Sequence, residues 1–394
     1  MKKEKGNQKS AINRLILVGN GFDLAHGLKT GYNDFLLWYL NMSFSAAKQN
    51  RVYEDKLLVV SFEGEAFLEH LRGAKASTVS DFIAHFYRIG FRNLIGQTYL
   101  KFEGWANHYF NPFKIHIKSD LLSRLMFDCR ETNWVEIENV FYELLKQALR
   151  EADANEKTKK VNVLNQSLAE LIRHLQNYLL QINTDVAVPG YHELLNSPFS
   201  ASDFVEFSVL DSDSYYISST QVLNFNYTDT IEKYVNGQRA NGNAVEINYI
   251  HGKLRDEQNP VIFGFGDELD EDYHGFELEK TRGIFEYIKS FWYFRTPNYH
   301  NLIRFIDAGP FQVYILGHSC GLSDRTMLNM IFEHQYCRSV KIFYYQNDSL
   351  NNFTPLTQEI ARHFKDKQQM RRKIVSFERS VKMPQVDQLY KVND

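Results

Sequence analysis

Residues 13–26, NRLILVGNGFDLAH, constrain this chain more than any other stretch. Leu15, Ile16, Leu17 and Val18 form a short unbroken apolar run. Gly19 and Gly21 flank Asn20, and Phe22, Asp23, Leu24 and Ala25 open a helical pattern. An apolar run this short, without polar alternation, reads as a strand buried on both faces, as in a parallel sheet. Glycine permits backbone angles closed to other residues and lets a ligand approach the main chain. Free N–H groups at a helix start attract phosphate. The expectation is the first half of a nucleotide site, contacted by Gly19, Asn20, Gly21 and Phe22. The dinucleotide fingerprint is incomplete: Leu24 stands where a third glycine belongs, and no acidic residue closes a second strand about 20 residues on. An ordinary strand-to-helix turn is the competing reading.

Charge and cysteine usage narrow the class. A net charge of −3 gives no global pull toward nucleic acid. Cys129, Cys320 and Cys337 lie far apart without CxxC spacing. That pattern fits a reducing compartment and neither a disulfide framework nor a zinc site. The thirteen histidines show no HExxH or other compact ligand spacing, so no metal is expected. The start, MKKEKGNQKS, lacks the apolar stretch of a secretory signal. No segment reaches the ~18 consecutive apolar residues of a membrane helix. The sequence reads as a cytoplasmic protein with a short mobile N-terminal tail and no membrane partner.

Along the chain, Leu28 to Leu40 reads as a helix capped by Thr30. From about Glu54 to Ile182 the pattern reads almost wholly helical. Its stretches are Asp81 to Phe91, Leu121 to Phe127, Trp134 to Leu149 and Val161 to Ile182. Glu138 reads as part of a solvated face. After about Phe204 short apolar strands return: Gln221 to Phe225, Glu246 to Ile250, Val261 to Phe263, Gln312 to Leu316, Val340 to Tyr345 and Lys373 to Phe377. Helical stretches near Asp229 to Tyr234, Thr281 to Ile288, Leu302 to Ile306, Ser323 to His334 and Leu356 to Phe364 separate several of them. Strands alternating with helices predict an α/β fold, a Rossmann-like parallel sheet flanked by helices with a large helical insertion. The expected division is a discontinuous core of residues 1–30 plus 204–382, an insertion of 31–203, and a polar tail of 383–394. The basic cluster Lys365 to Lys373 lacks aromatic interleaving and reads as a solvated surface, so nucleic acid is not an expected partner.

In parallel sheets ligands bind beyond the carboxyl ends of the strands. That rule selects five loops: Gly19 to Asp23; Asn224, Phe225, Asn226, Tyr227, Thr228 and Asp229; His251 and Gly252; Gly264 to Asp267; and Gly317, His318, Ser319, Cys320 and Gly321. Plainer readings exist for each. Asn224 and Asn226 form turns readily, Thr228 or Asp229 can cap a helix, and a lone histidine such as His251 is more often structural. Ser323 or Asp324 reads as the cap of the helix that follows. His318, Ser319 and Asp324 lack the nucleophile-elbow context of a hydrolytic triad.

The ordered pieces VGNGFDLAHGLKTGYNDF, NWVEIEN, NFNYTDT, YIHGK, VIFGFGDE and YILGHSCGLSD resemble the AbiH family, implicated in abortive infection against bacteriophage. AbiH proteins are in turn similar, remotely, to sirtuin-like NAD-binding domains. That similarity implies Gly19 and Gly21 at the dinucleotide, Asn226 at the nicotinamide ribose, His251 as the active-site histidine and Ser319 at a late ribose or adenine contact. The GNGFD turn departs from GAG-type turns, and the four-cysteine zinc module of protein deacylases is absent. The implied activity is hydrolysis of NAD to nicotinamide and ADP-ribose. Asn226 would orient the ribose or water, His251 would take a proton, and Asp23 would stabilise developing positive charge. Asn224, Tyr227, Gly252, Gly264, Gly317 and His318 would line the ligand. Two other readings remain: a non-catalytic NAD or ADP-ribose sensor, and a toxin acting by protein interaction. A phage-derived trigger and a homo-oligomer are the expected partners of the enzyme reading.

Overall fold

The computed structural model describes residues 10–62, 100–101, 113–128, 134–205, 215–235, 239–240, 243–347 and 350–386. In chain order the strands are β1 (Ser10–Val18), β2 (Val52–Glu54), β3 (Leu58–Phe62), β4 (Leu100–Lys101), β5 (Phe113–Ile117), β6 (Tyr215–Asn224), β7 (Arg239–Ala240), β8 (Asn243–Tyr249), β9 (Phe311–Leu316), β10 (Cys337–Tyr344), β11 (Gln346–Asn347), β12 (Leu350–Asn351) and β13 (Val381–Lys382). Two compact units form: residues 1–28, 183–271 and 288–394 make the first, and residues 29–182 with 272–287 make the second.

The first unit is built on a sheet ordered β13-β10-β9-β1-β6-β8-β7. Six of these strands run parallel, and only the short β7 pairs antiparallel. Counted within the parallel set, the order is 3-2-1-4-5-6, that of doubly wound dinucleotide-binding sheets. The fold is α/β and Rossmann-like. The apolar run of β1 explains its central place. Leu15 and Leu17 join the core on one face, while Ile16 and Val18 join the core on the other. Helices Asn298–Asp307, Arg325–Glu333 and Phe353–Ala361 cover the first face through Leu302, Leu328 and Ile360. Helices Asn20–Ala25, Tyr191–Asn196 and Glu232–Val235 cover the second through Phe22, Tyr191 and Tyr234. The stretch from Val188 to Leu195 therefore packs on the sheet. Chain through Val386 does too: Met383 joins the same core, Val386 packs against it, and the Val386 N–H reaches the Ala25 carbonyl of the covering helix at 2.9 Å.

The second unit holds helices Tyr32–Asn50, Asp120–Asp128, Trp134–Leu149, Ala154–Leu179 and Tyr273–Leu278. It also holds an antiparallel sheet, β2-β3-β5-β4, where the sequence reads as helix. Phe113–Ile117, FKIHI, alternates apolar and polar residues, and Leu58–Phe62 is rich in β-branched side chains. A period of two over five residues is lost inside a search for longer helical stripes. The predicted helix over Asp81 to Phe91 lies outside the described residues, as does Cys129.

Five other local expectations change. Gly31, not Thr30, precedes the helix Tyr32–Asn50. Val261–Phe263 is a loop, fixed because Ile262 donates to the His251 carbonyl at 2.8 Å and accepts from the Tyr227 hydroxyl at 3.1 Å. Thr281 to Ile288 forms successive turns, interrupted where Gly283 takes φ +88°. The last strand is Val381–Lys382, after Ile374 makes only a single bridge to Val340. Glu138 is buried within the second unit, not solvated. Among the described residues no helix is long and apolar enough to cross a membrane.

Candidate functional site

Four parallel strands of the first unit, β8, β6, β1 and β9, end side by side, and their loops meet. The fifth expected strand end, Gly264 to Asp267, is delivered by a loop. At the switch point between β1 and β9 the two glycine loops touch directly. Gly19 N–H donates to the Leu316 carbonyl at 3.2 Å, and Gly21 N–H donates to the Gly317 carbonyl at 2.8 Å. A Cβ on Gly19 would lie 2.5 Å from the His318 Cα, and one on Gly21 2.8 Å from the Gly317 Cα. Gly317 has φ +70°, and a Cβ there would lie 2.1 Å from the Phe22 nitrogen. The glycines are thus needed for loop to approach loop. The donors expected to meet phosphate are engaged by the chain itself. Phe22 turns into the core, where its ring packs against His26, Tyr191 and Tyr234. Asn20 is half-buried.

A buried carboxylate node stands beside this contact. The Thr228 hydroxyl donates to Asp23 Oδ2 at 2.5 Å. Asp23 Oδ1 has no hydrogen-bond partner among the described residues. Burial pushes the Asp23 carboxyl up to about 6, against the pull of Thr228 and Thr230. Asn226 Nδ2 donates to the Gly19 carbonyl at 3.0 Å, fastening the β6 loop to the β1 turn. Asn224 Oδ1 accepts from the Asn226 N–H at 3.1 Å, so Asn224 shapes this loop from within. Thr228, read as a cap, is a carboxylate donor instead.

A second node gathers around Asp324. Its Oδ1 lies 3.1 Å from His251 Nε2 and 2.9 Å from Lys289 Nζ, and its Oδ2 is 3.8 Å from His318 Nε2. The Tyr293 hydroxyl is 3.1 Å from His251 Nε2. All of these side chains are buried. Burial pushes the Asp324 carboxyl up, but Lys289 and the imidazoles outweigh it and hold it well below the usual carboxylate range. Burial, then Lys289, pushes the His251 imidazole down against Asp324. Burial takes His318 down to about 3. Its Nδ1 accepts the Cys320 N–H at 3.0 Å, which leaves the proton on Nε2, facing Asp324. The Phe225 ring lies 4.0 Å from that of His318 and 5.1 Å from that of His251. Sequence reasoning missed Lys289, Tyr293 and Asp324 as site residues. Asp324 sits at the helix N-cap but makes no capping hydrogen bond, because its carboxylate is turned toward His251 and Lys289. The one signal for Lys289 is its isolation in the apolar, aromatic run IKSFWYF.

The remaining loop residues frame these nodes. Gly252 takes φ +84°, with the Pro260 carbonyl 2.1 Å from where a Cβ would stand. Gly264 takes φ +148°. Tyr227 is half-buried, and Ser319 is exposed on the β9 loop. Cys320 is buried and its thiol is pushed up, which makes it a packing residue. In the second unit, Asp55, Glu170 and His174 have metal-ligand spacing. Asp55 Oδ2 there already accepts from Tyr39 at 2.8 Å and Tyr53 at 2.7 Å, and the Arg173 guanidinium is 3.0 Å from His174 Nε2. No curated protein matches the chain. A family model described as bacteriophage abortive infection AbiH matches residues 15–346.

Proposed function

The chain belongs to the AbiH family, so its role is in abortive infection against bacteriophage, and from that premise we propose that the strand-end rim is a site for NAD hydrolysis. The observation that carries this reading is the hydrogen bond from Asn226 to the Gly19 carbonyl, which brings the β6 loop and the first turn to one place. The residues suit the ribose and nicotinamide part of such a substrate. Asp23 keeps one oxygen without a partner, and its carboxyl, near 6, is mostly ionised at pH 7.5. The residues do not suit the diphosphate at the first turn, because the Gly19 and Gly21 N–H groups are engaged.

In this reading nicotinamide leaves as a neutral molecule and positive charge builds on the ribose. Asp23 offsets that charge from a site where burial strengthens its field. Asn226 orients the ribose hydroxyls or the attacking water. His251, uncharged at neutral pH, accepts a proton from the water. The sirtuin-like likeness remains a proposal of the same kind. The test is incubation of the purified chain with NAD, with and without extract of phage-infected cells, reading nicotinamide and ADP-ribose by chromatography. Wild type is expected to release both, while His251→Ala binds NAD and releases neither. Absence of product in every arm would refute hydrolysis.

A second reading, a non-catalytic sensor, is favoured by the engaged glycine donors and the burial of His251. It predicts that NAD or ADP-ribose raises the melting temperature with no product formed.

A further inference from the structure

We propose that Lys289 is a positioning residue, the permanent counter-ion of Asp324, whose ammonium leaves the neighbouring His251 uncharged and able to accept a proton. The calling of His251 a base rests on the reading above; the counter-ion assignment does not. His251 is flanked by two acceptors, the Phe225 main chain and the Asp324 carboxylate. An imidazole between two acceptors satisfies both only as the charged, doubly protonated ring. A buried carboxylate left without a cation is strongly unfavourable, so Asp324 takes a positive partner from whichever group supplies one. Lys289 supplies it at 2.9 Å from a fully buried position. The Lys289 N–H donates to the Phe265 carbonyl at 2.9 Å, and a parallel bridge pairs Phe265 with Ile288. Four residues on, Tyr293 brings its hydroxyl to the same His251 nitrogen. The one short segment therefore sets both the charge beside the ring and a hydrogen-bond partner on it.

The other titratable groups facing His251 do not replace this. His318 approaches Asp324 only at 3.8 Å, and burial keeps it neutral. His363, which pushes His318 down, is itself committed to the Cys320 carbonyl at 2.7 Å. Removing the ammonium leaves His251 as the only group within 3.5 Å of Asp324 able to become its cation among the described residues.

The experiment is heteronuclear NMR of the full chain with labelled histidine, the His251 signals being assigned by their loss in His251→Gln. In wild type the His251 midpoint is expected to lie below that of a free imidazole. In Lys289→Met its titration midpoint moves up by about one pH unit or more, the size of effect that an adjacent opposite charge produces. Lys289→Arg restores the neutral ring, and so does Lys289→Met combined with Asp324→Asn. If Lys289→Met is too weakly folded for NMR, its urea midpoint across pH 5 to 8 takes over. A folded-state midpoint higher than that of wild type makes the variant gain stability relative to wild type as pH falls through it. The gap to wild type therefore narrows on acidification. An unmoved His251 titration, or a gap independent of pH, overturns the assignment. Neither readout depends on turnover, so a failed NAD assay leaves this result standing.

Discussion

Gly21→Ala, Gly309→Ala and Gly317→Ala together decide what the first glycine turn is for. Gly21 has no left-handed requirement, yet an added Cβ meets the Gly317 carbonyl oxygen at 2.7 Å and its Cα at 2.8 Å. These are main-chain atoms of a loop that is itself hydrogen-bonded back to Gly21, so they yield only by parting the loops. Overpacking of this kind costs about 1–3 kcal/mol. Gly309 presents the reverse case, with φ +156° and nothing within 4 Å of a Cβ. Its substitution measures backbone strain alone, about 1–3 kcal/mol. Gly317 combines both problems: φ +70° and a contact of 2.1 Å with the Phe22 nitrogen. Left-handed strain of about 1–2 kcal/mol on top of the clash puts Gly317→Ala at about 2–5 kcal/mol, a large share of the ~5–15 kcal/mol of an ordinary domain. Two compact units make a single unfolding midpoint ambiguous. Hydrogen exchange read by mass spectrometry on peptides spanning 13–28 and 311–323 therefore accompanies urea titration. Both peptides lose protection in Gly21→Ala and Gly317→Ala, and neither does in Gly309→Ala beyond its own turn. A Gly21→Ala protein with wild-type protection in both peptides and reduced affinity for NAD would refute the loop-contact reading and restore the glycine turn as a ligand cradle.

Two further outcomes follow from buried ionisable groups. Asp23 binds its proton more tightly folded than unfolded, so the carboxyl contributes stability below about pH 4 and loses it as pH rises through about 6. The interval from 3.8 to about 6 corresponds to about 3 kcal/mol. Asp23→Asn is then more stable than wild type by up to about 3 kcal/mol at pH 8. The gain vanishes below pH 4 in urea titrations, and NAD turnover is lost. A gain independent of pH would count against the buried carboxylate. Burial pushes the Cys337 thiol up to about 12 and the Cys320 thiol up as well. Neither is alkylated by iodoacetamide in the native chain at pH 8, and both react in urea, as peptide mass spectrometry reads. Labelling of native Cys320 would contradict its burial.

What the sequence made legible follows from the range of each interaction. The strands β1 and β9 were readable because burial on both sheet faces leaves an unbroken apolar run, LILV and VYIL, while β6, β8 and β10 were readable from shorter or interrupted ones, VL, VEINYI and VKIFYY. Asn226 and His251 were singled out because a general rule selects the carboxyl ends of such strands. The groups that complete the site were not readable. Lys289 meets Asp324 across 35 residues, and His251 meets it across 73. No local spacing encodes those meetings. Asp324 and Thr228 each had an adequate local explanation as helix caps, which absorbed them. The glycines were read as letting a ligand approach the main chain, whereas the group that approaches them is the Gly317 loop.

That last difference reorganises the site. In a 3-2-1-4-5-6 sheet the open crevice belongs between the loops of strands 1 and 4, here β1 and β9. Gly19, Gly21 and Gly317 close that crevice, main chain against main chain. The closed contact becomes a base on which neighbouring groups rest. Asn226 is tied to it through the Gly19 carbonyl, and His318 is held against it through its own Cα. The buried charges then lie to either side, Asp23 with Thr228 near the first turn and Asp324 with His251 and Lys289 beyond the β9 loop. A change at Gly317 must therefore reach both nodes, whereas Lys289→Met reaches only the second. In Gly317→Ala the Asp23 and His251 titrations are expected to move together, and in Lys289→Met only that of His251.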